Sequence, residues 1–291
     1  METEIKKYIE WKATYAPRAA VNYVIPLERF KKMVHKDLSR VRLDDIVRFQ
    51  NMVQDRYSPT SAAFAIIVLK NFFKFWKVQG KDVIDPYLIR IPRFTPKSHS
   101  AISCDDFRRM DELLDATEFY GLEKKVIVNL LWETGVRVSE LCDLDVLHVD
   151  VQRRKALIVT KKNKKQRWII WSEKTHGILL KYLGIRICLN QQPALFIASE
   201  IGGRRERVSV RTVQRWVTEI ARGAGILKKV SPHSFRHGKA HRILDLGGNP
   251  KHVQAILGHS ENNPVTAFSY LRLNETEFEK IADQFLQKSG P

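Results

Sequence analysis

The 291-residue sequence predicts a mainly helical chain of two domains, with a small antiparallel β-sheet in the second, an α+β protein. Three observations predict it. Residues 1–80 carry helical spacing and helix-capping residues with no strand-like alternation. A proline-rich basic stretch, residues 85–100, then breaks the helical pattern. Beyond it, Lys155–Thr160 and Gln166–Trp171 are rich in β-branched and aromatic residues and flank a short turn. The expected organisation is a helical domain over residues 1–84, a linker over 85–100 and a larger domain over 101–291.

The elements follow in order. Pro17 and Pro26 punctuate the first two segments. Leu43, Ile46, Val47 and the run from Phe49 to Val53 make a short amphipathic helix. Asp44 and Asp45 stand in its first turn, where acids suit the helix dipole. Ser58-Pro59 caps and starts the clearest helix, which runs to about Val78 and stops at Gly80. Its apolar residues, from Ala62 to Trp76, cover more than one face and place it at the centre of a bundle. Pro86, Pro92 and Pro96, with Arg90, Arg93 and Lys97, favour an extended basic segment suited to crossing a nucleic-acid backbone.

In the second part, Ser103 to Asp106 starts a helix continued to Leu114, and a largely apolar helix runs from about Leu122 to Glu133. It breaks at Thr134-Gly135. Two strands follow, joined by K-K-N-K-K, Lys161 to Lys165. Such a turn must face solvent or an anion. Ser209 caps a helix to about Arg222, Ser231-Pro232 opens another that ends at Gly247-Gly248, and Asn249-Pro250 starts one that Gly258 stops. Asn274 and Glu277 form a capping box for a terminal helix through Gln287.

Charge narrows the classes of function. The chain has 50 Lys and Arg against 32 Asp and Glu, a net charge of +18. Residues 1–100 hold 19 basic and 10 acidic residues, leaving 31 and 22 for the rest, a surplus of 9 on each side. Two separately basic parts suit a polyanion gripped from two sides. Cys104, Cys142 and Cys188 lie far apart, which suggests neither a disulfide framework nor a zinc site. No apolar run approaches bilayer length and the first residues are charged, so a soluble, cytoplasmic protein associated with the nucleoid is expected, with no membrane partner.

The chemistry concentrates in a few short stretches. In S-P-H-S-F-R-H, His233 and Arg236 share a face near the start of a helix, either as a solvated basic face or as an anion site. Arg137, at the restart after Gly135, lies among apolar residues and must pair with something. Glu140, three residues on, is the local partner and a phosphate the functional one. His259 follows the helix stopped by Gly258, and a late tyrosine, Tyr270, lies beyond. Arg204, Arg205 and Arg207 are further candidates to contact phosphates.

Together, T-G-V-R-V-S-E-L, the lysine-rich hairpin, H-S-F-R-H, L-G-H and the late tyrosine resemble the tyrosine recombinase family of phage integrases and Xer proteins. The resemblance spans the chain. It implies a helical core-binding domain and a catalytic domain closing on duplex DNA as a C-shaped clamp. It also implies Arg137, Lys162, His233, Arg236 and His259 around a nucleophilic Tyr270. Lys161 and Lys164 are then DNA contacts, although either remains open as the acid in place of Lys162. No cofactor and no metal are implied. Self-association to a tetramer on DNA, through the terminal helix, is.

Two departures from the family pattern stand out. The tyrosine usually lies nine residues after the L-G-H histidine, where this chain has Phe268; Tyr270 is eleven after His259. Either Tyr270 acts from a longer loop or catalysis has lapsed and a DNA-binding protein remains. The hairpin turn also lacks the usual glycine. The expected activity is site-specific cleavage and rejoining of DNA, for dimer resolution or for integration and excision of a mobile element. A type IB topoisomerase-like enzyme is the alternative within the same chemistry.

Overall fold

A computed structural model describes residues 1–92, 101–160, 166–189, 193–198 and 206–258. Arg93, Lys97, Lys161, Lys162, Lys164, Arg204, Arg205, His259, Phe268, Tyr270 and the expected terminal helix lie outside the described residues. The chain divides into two compact units, Met1–Lys97 and Ser98–Pro291, each with its own hydrophobic core. Among the described residues the fold is mainly helical with one small antiparallel sheet. No described helix is long and apolar enough to cross a membrane.

The first unit is a bundle of α1 (Glu2–Tyr15), α2 (Pro17–Val34), α3 (Leu43–Arg56) and α4 (Pro59–Val78). Ser58 Oγ accepts from Ser61 N at 3.3 Å, and Pro59 fills the first helical position, where no N–H is needed. Ala62, Ile66, Leu69, Phe72 and Phe73 of α4 are buried, so the aromatic run serves the bundle core. Pro17 starts α2, but Pro26 does not end it: it lies inside α2, buried with Tyr23, Leu27 and Phe30. The proline removes one hydrogen bond, and the packing of that face holds the helix together around it.

The segment expected as an extended linker starts differently. Pro86–Leu88 is a 3-10 turn whose start is capped by Asp85 Oδ1, accepting from Tyr87 N at 2.9 Å. Ile89 then buries itself in the first core, and its carbonyl accepts from Lys70 Nζ at 3.1 Å. Residues 85–89 are therefore part of the first unit, and Arg90 follows as an exposed residue. An apolar side chain every few residues was enough to pin a stretch that its prolines mark only as non-helical.

In the second unit, α5 (Cys104–Leu113) opens with a capping box: Ser103 Oγ accepts from Asp106 N at 3.1 Å, and Asp106 Oδ2 from Ser103 N at 3.0 Å. The largely apolar α6 (Phe119–Thr134) ends at Gly135, and α7 (Val138–Cys142) restarts at once. The sheet is β1 (Val149–Asp150), β2 (Lys155–Val159) and β3 (Gln166–Ile170), antiparallel in that order. Its longer pairing sets Ile158 opposite Arg167 and Ala156 opposite Ile169. Next comes α8 (Glu173–Leu189), then α9 (Val210–Gly223), α10 (Pro232–Asp245) and α11 (Pro250–Leu257). The core runs along α6, the inner face of the sheet, α8 and α9. Within it Tyr182 Oη lies 2.8 Å from both Glu123 Oε1 and Leu195 O.

Candidate functional site

Two helices end on one arginine. Both α6 and α11 close with a left-handed glycine, Gly135 at φ +60° and Gly258 at φ +65°, a conformation that side chains disfavour. Space also requires glycine at the first: a Cβ on Gly135 would stand 2.6 Å from Leu257 Cδ2. Helix C-termini leave carbonyls without partners and carry partial negative charge. Arg236, from α10, satisfies both ends. One guanidinium nitrogen donates to Gly135 O at 2.8 Å and the other to Leu257 O at 2.6 Å. It is 2 % exposed.

Arg137 approaches from the N-cap of α7. Its guanidinium donates to Gly258 O at 3.1 Å and to Glu140 Oε1 at 2.8 Å, and its backbone N–H donates to Glu140 Oε2 at 3.1 Å. Its side chain keeps 36 % of its surface, so this cation faces outward. The partner that the i, i+3 spacing suggests is the one observed.

Glu140 serves more than Arg137. Arg167, from β3, forks onto the same carboxylate at 3.1 and 2.7 Å, and Thr160 Oγ1 lies 3.2 Å from Oε1. Burial alone would push the Glu140 carboxyl up. The Arg167 hydrogen bonds, with the charges of Arg167 and Arg137, instead hold it at about 2. A test follows from this shift. A depressed carboxylate contributes stability above its unfolded value, near 4.5, and loses it as the pH falls towards 2. Glu140→Gln should cost roughly 3 kcal/mol at neutral pH, since it breaks a buried pair and strands its partners. In denaturant titrations the gap between wild type and variant should be constant from pH 7 to about 5 and shrink below about 4.5. A gap independent of pH would contradict the ion-pair account.

The remaining expected residues separate into two groups. His233 is exposed at the second helical position of α10, with its ring 4.6 Å from that of His237 in an edge arrangement. Ser231 occupies the N-cap, although the bond that forms runs from its backbone N–H to Ser234 Oγ at 3.2 Å. Arg137 and Arg236 thus converge from α7 and α10 on the end of α11, immediately before His259 in the sequence, and His233 stands three residues before Arg236 on α10. Arg207, read as a phosphate contact, is committed elsewhere. It donates to Cys142 O at 2.9 Å and Leu144 O at 3.0 Å and pairs with Asp145, closing the chain behind α7.

Two further residues belong to the site. Arg167 pairs across 27 positions with Glu140, a contact that no local spacing announces. Lys239, one turn beyond Arg236, packs its Cβ and Cγ on Gly135, and burial together with the charge of Arg242 depresses its ammonium. The cluster can therefore present fixed cations, on a buried scaffold, to a phosphodiester.

Residues 106–277 match the model of the phage integrase family. A tyrosine recombinase XerC of Thermodesulfovibrio yellowstonii is 31 % identical over 224 residues, 74 % of this chain and 73 % of that protein. Among solved structures, the fold resembles the XerH site-specific recombinase bound to a palindromic difH substrate in a post-cleavage complex. The TM-score is 0.78 at 18 % identity, over 97 % of this chain and 84 % of that one. It also resembles a lambda integrase tetramer bound to a Holliday junction, with a TM-score of 0.71 at 17 % identity over 90 % and 78 % of the two chains.

Proposed function

Since this chain belongs to the phage integrase family of tyrosine recombinases and is a DNA breaking-rejoining enzyme, we propose that it recombines DNA at a specific site through a 3′-phosphotyrosyl intermediate. The observation that carries this reading is the pairing of Arg137 and Arg236 on adjacent carbonyls at the end of α11. Two guanidiniums so fixed suit the two non-bridging oxygens of one phosphodiester and the charge that builds on them during attack.

In this reading the Tyr270 oxygen attacks phosphorus and the bond to the 5′-oxygen breaks. An ordinary tyrosine, with a pKa near 10, needs help to lose its proton. His233, exposed at the helix start, is the group assigned to receive it. Lys162 supplies a proton to the departing 5′-oxygen, and His259 donates to the phosphate. The phosphotyrosyl bond replaces the phosphodiester one for one, so a 5′-hydroxyl of another strand reseals it without ATP. Arg90 and the basic residues Arg93, Lys97, Lys161, Lys164, Arg204 and Arg205 are assigned to phosphates, an attraction that weakens with salt. Four protomers on two sites, joined through residues 274–287, complete the reading, with the cytoplasm as its setting.

The test uses a duplex selected from a random-sequence pool by its binding to the protein. Two such duplexes of different length, incubated without ATP, should yield recombinant lengths. A supercoiled plasmid lacking the site should remain supercoiled. Relaxation of that plasmid would place the protein with the topoisomerases, and binding with no new lengths would overturn recombination.

A further inference from the structure

Arg167 takes no part in the proposed cleavage steps. Arg167 reaches from β3 with a side chain 12 % exposed, and both of its terminal nitrogens are spent on Glu140. Its Nε is buried with no hydrogen-bond partner among the described residues. The other side of the group is covered by Gly258: a Cβ there would stand 2.9 to 3.0 Å from Arg167 Cδ, Nε and Cζ. The guanidinium is thus wedged between the carboxylate that orients Arg137 and the residue whose carbonyl Arg137 grips.

The charge count gives this wedge a consequence. Arg137 and Glu140 alone would neutralise each other, leaving little charge for a phosphate. With Arg167 on the same carboxylate the trio carries one net positive charge, and the outward cation is Arg137. Arg167 also stands two residues from the lysine-rich turn, on the strand that returns from it. We propose that Arg167 is a positioning residue for DNA cleavage: it holds Glu140 and Gly258 in register, so that Arg137 meets the phosphate with its charge uncancelled. This inference rests on the DNA-cleaving reading given above.

The experiment is single-turnover cleavage by the full-length protein of a nicked form of the selected duplex, with covalent protein–DNA product read on denaturing gels. Arg167→Gln should bind the duplex within about threefold of wild type and cleave about 10²-fold more slowly, the scale expected of a misplaced reacting group. Because the buried Glu140 carboxyl rises once its main partner is gone, its protonation uncovers part of the Arg137 charge, and the deficit relative to wild type should narrow as the pH falls. Arg167→Lys, which restores the charge, should recover to within about tenfold of wild type and lose that extra pH dependence. Gly258→Ala, which crowds the guanidinium and leaves the charge in place, should slow cleavage with binding retained.

Wild-type adduct together with Arg167→Gln cleaving within threefold at every pH overturns the positioning role alone. So does Arg167→Lys performing no better than Arg167→Gln when both merely unfold more easily. Absence of adduct from wild type on a bound duplex overturns the DNA-cleaving reading, and the role of Arg167 with it.

Discussion

Tyr270→Phe is expected to bind its DNA site as wild type does and to form no covalent adduct at all. The substitution removes one oxygen, and a phenyl ring has nothing with which to attack phosphorus. Phe268 stands two residues earlier, where the family usually places its tyrosine, so no neighbouring phenol substitutes for the lost one. The buried Tyr182 provides the control. Its hydroxyl is held between Glu123 and Leu195 O, and burial together with the Glu123 carboxylate raises its pKa. Tyr182→Phe should therefore keep adduct formation while losing some stability. Gel-shift titration paired with a denaturing gel, for each variant, checks both statements. Adduct persisting in Tyr270→Phe would move the nucleophile elsewhere.

The second large effect is expected from Arg236→Ala. Donors aimed at developing negative charge contribute about 10²–10³ in rate each, and a guanidinium in a nearly dry site exceeds a neutral donor. A loss of roughly 10³-fold or more in single-turnover cleavage follows. The same change leaves the carbonyls of Gly135 and Leu257 without the donors that join α6 to α11. Each buried group left unsatisfied costs about 1–3 kcal/mol, so the melting temperature should fall as well. Arg236→Lys separates the effects: it keeps a charge and loses the two-ended grip. Cleavage near the wild-type rate in a folded Arg236→Ala protein would remove this residue from the reaction.

Much of the architecture was legible because local rules and tertiary packing agree there. Ser58-Pro59 and Ser103 to Asp106 announce their helices by capping chemistry, and the caps form. The strand pair around the lysine turn follows from side-chain type, and its register puts Ala156, Ile158 and Ile169 on the core face. Glu173–Leu189 is a helix that the pattern does not announce. Its apolar residues circle the axis, with Leu179 and Tyr182 buried while Leu180, Ile185 and Ile187 are exposed, so no single face marks it. Pro26 misleads for a related reason, since a proline signals a helix end only where packing does not override it.

The site divides in the same way. The i, i+3 pairs, Arg137 with Glu140 and His233 with Arg236, are visible because three residues span one turn of helix. Arg167 on Glu140 and Arg236 on the α6 and α11 carbonyls depend on where distant elements come to rest. Arg207 shows the converse. A third arginine in a basic run looks like a phosphate contact, but three acceptors behind α7 claim it.

The most direct measurement is the identity of the residue left on the DNA. Wild-type protein would be trapped on the nicked selected duplex, digested with protease, and the DNA-linked peptide read by mass spectrometry. The account predicts a single peptide carrying its phosphoryl link on Tyr270. A link on any other residue, or a bound duplex that yields no linked peptide, would contradict it.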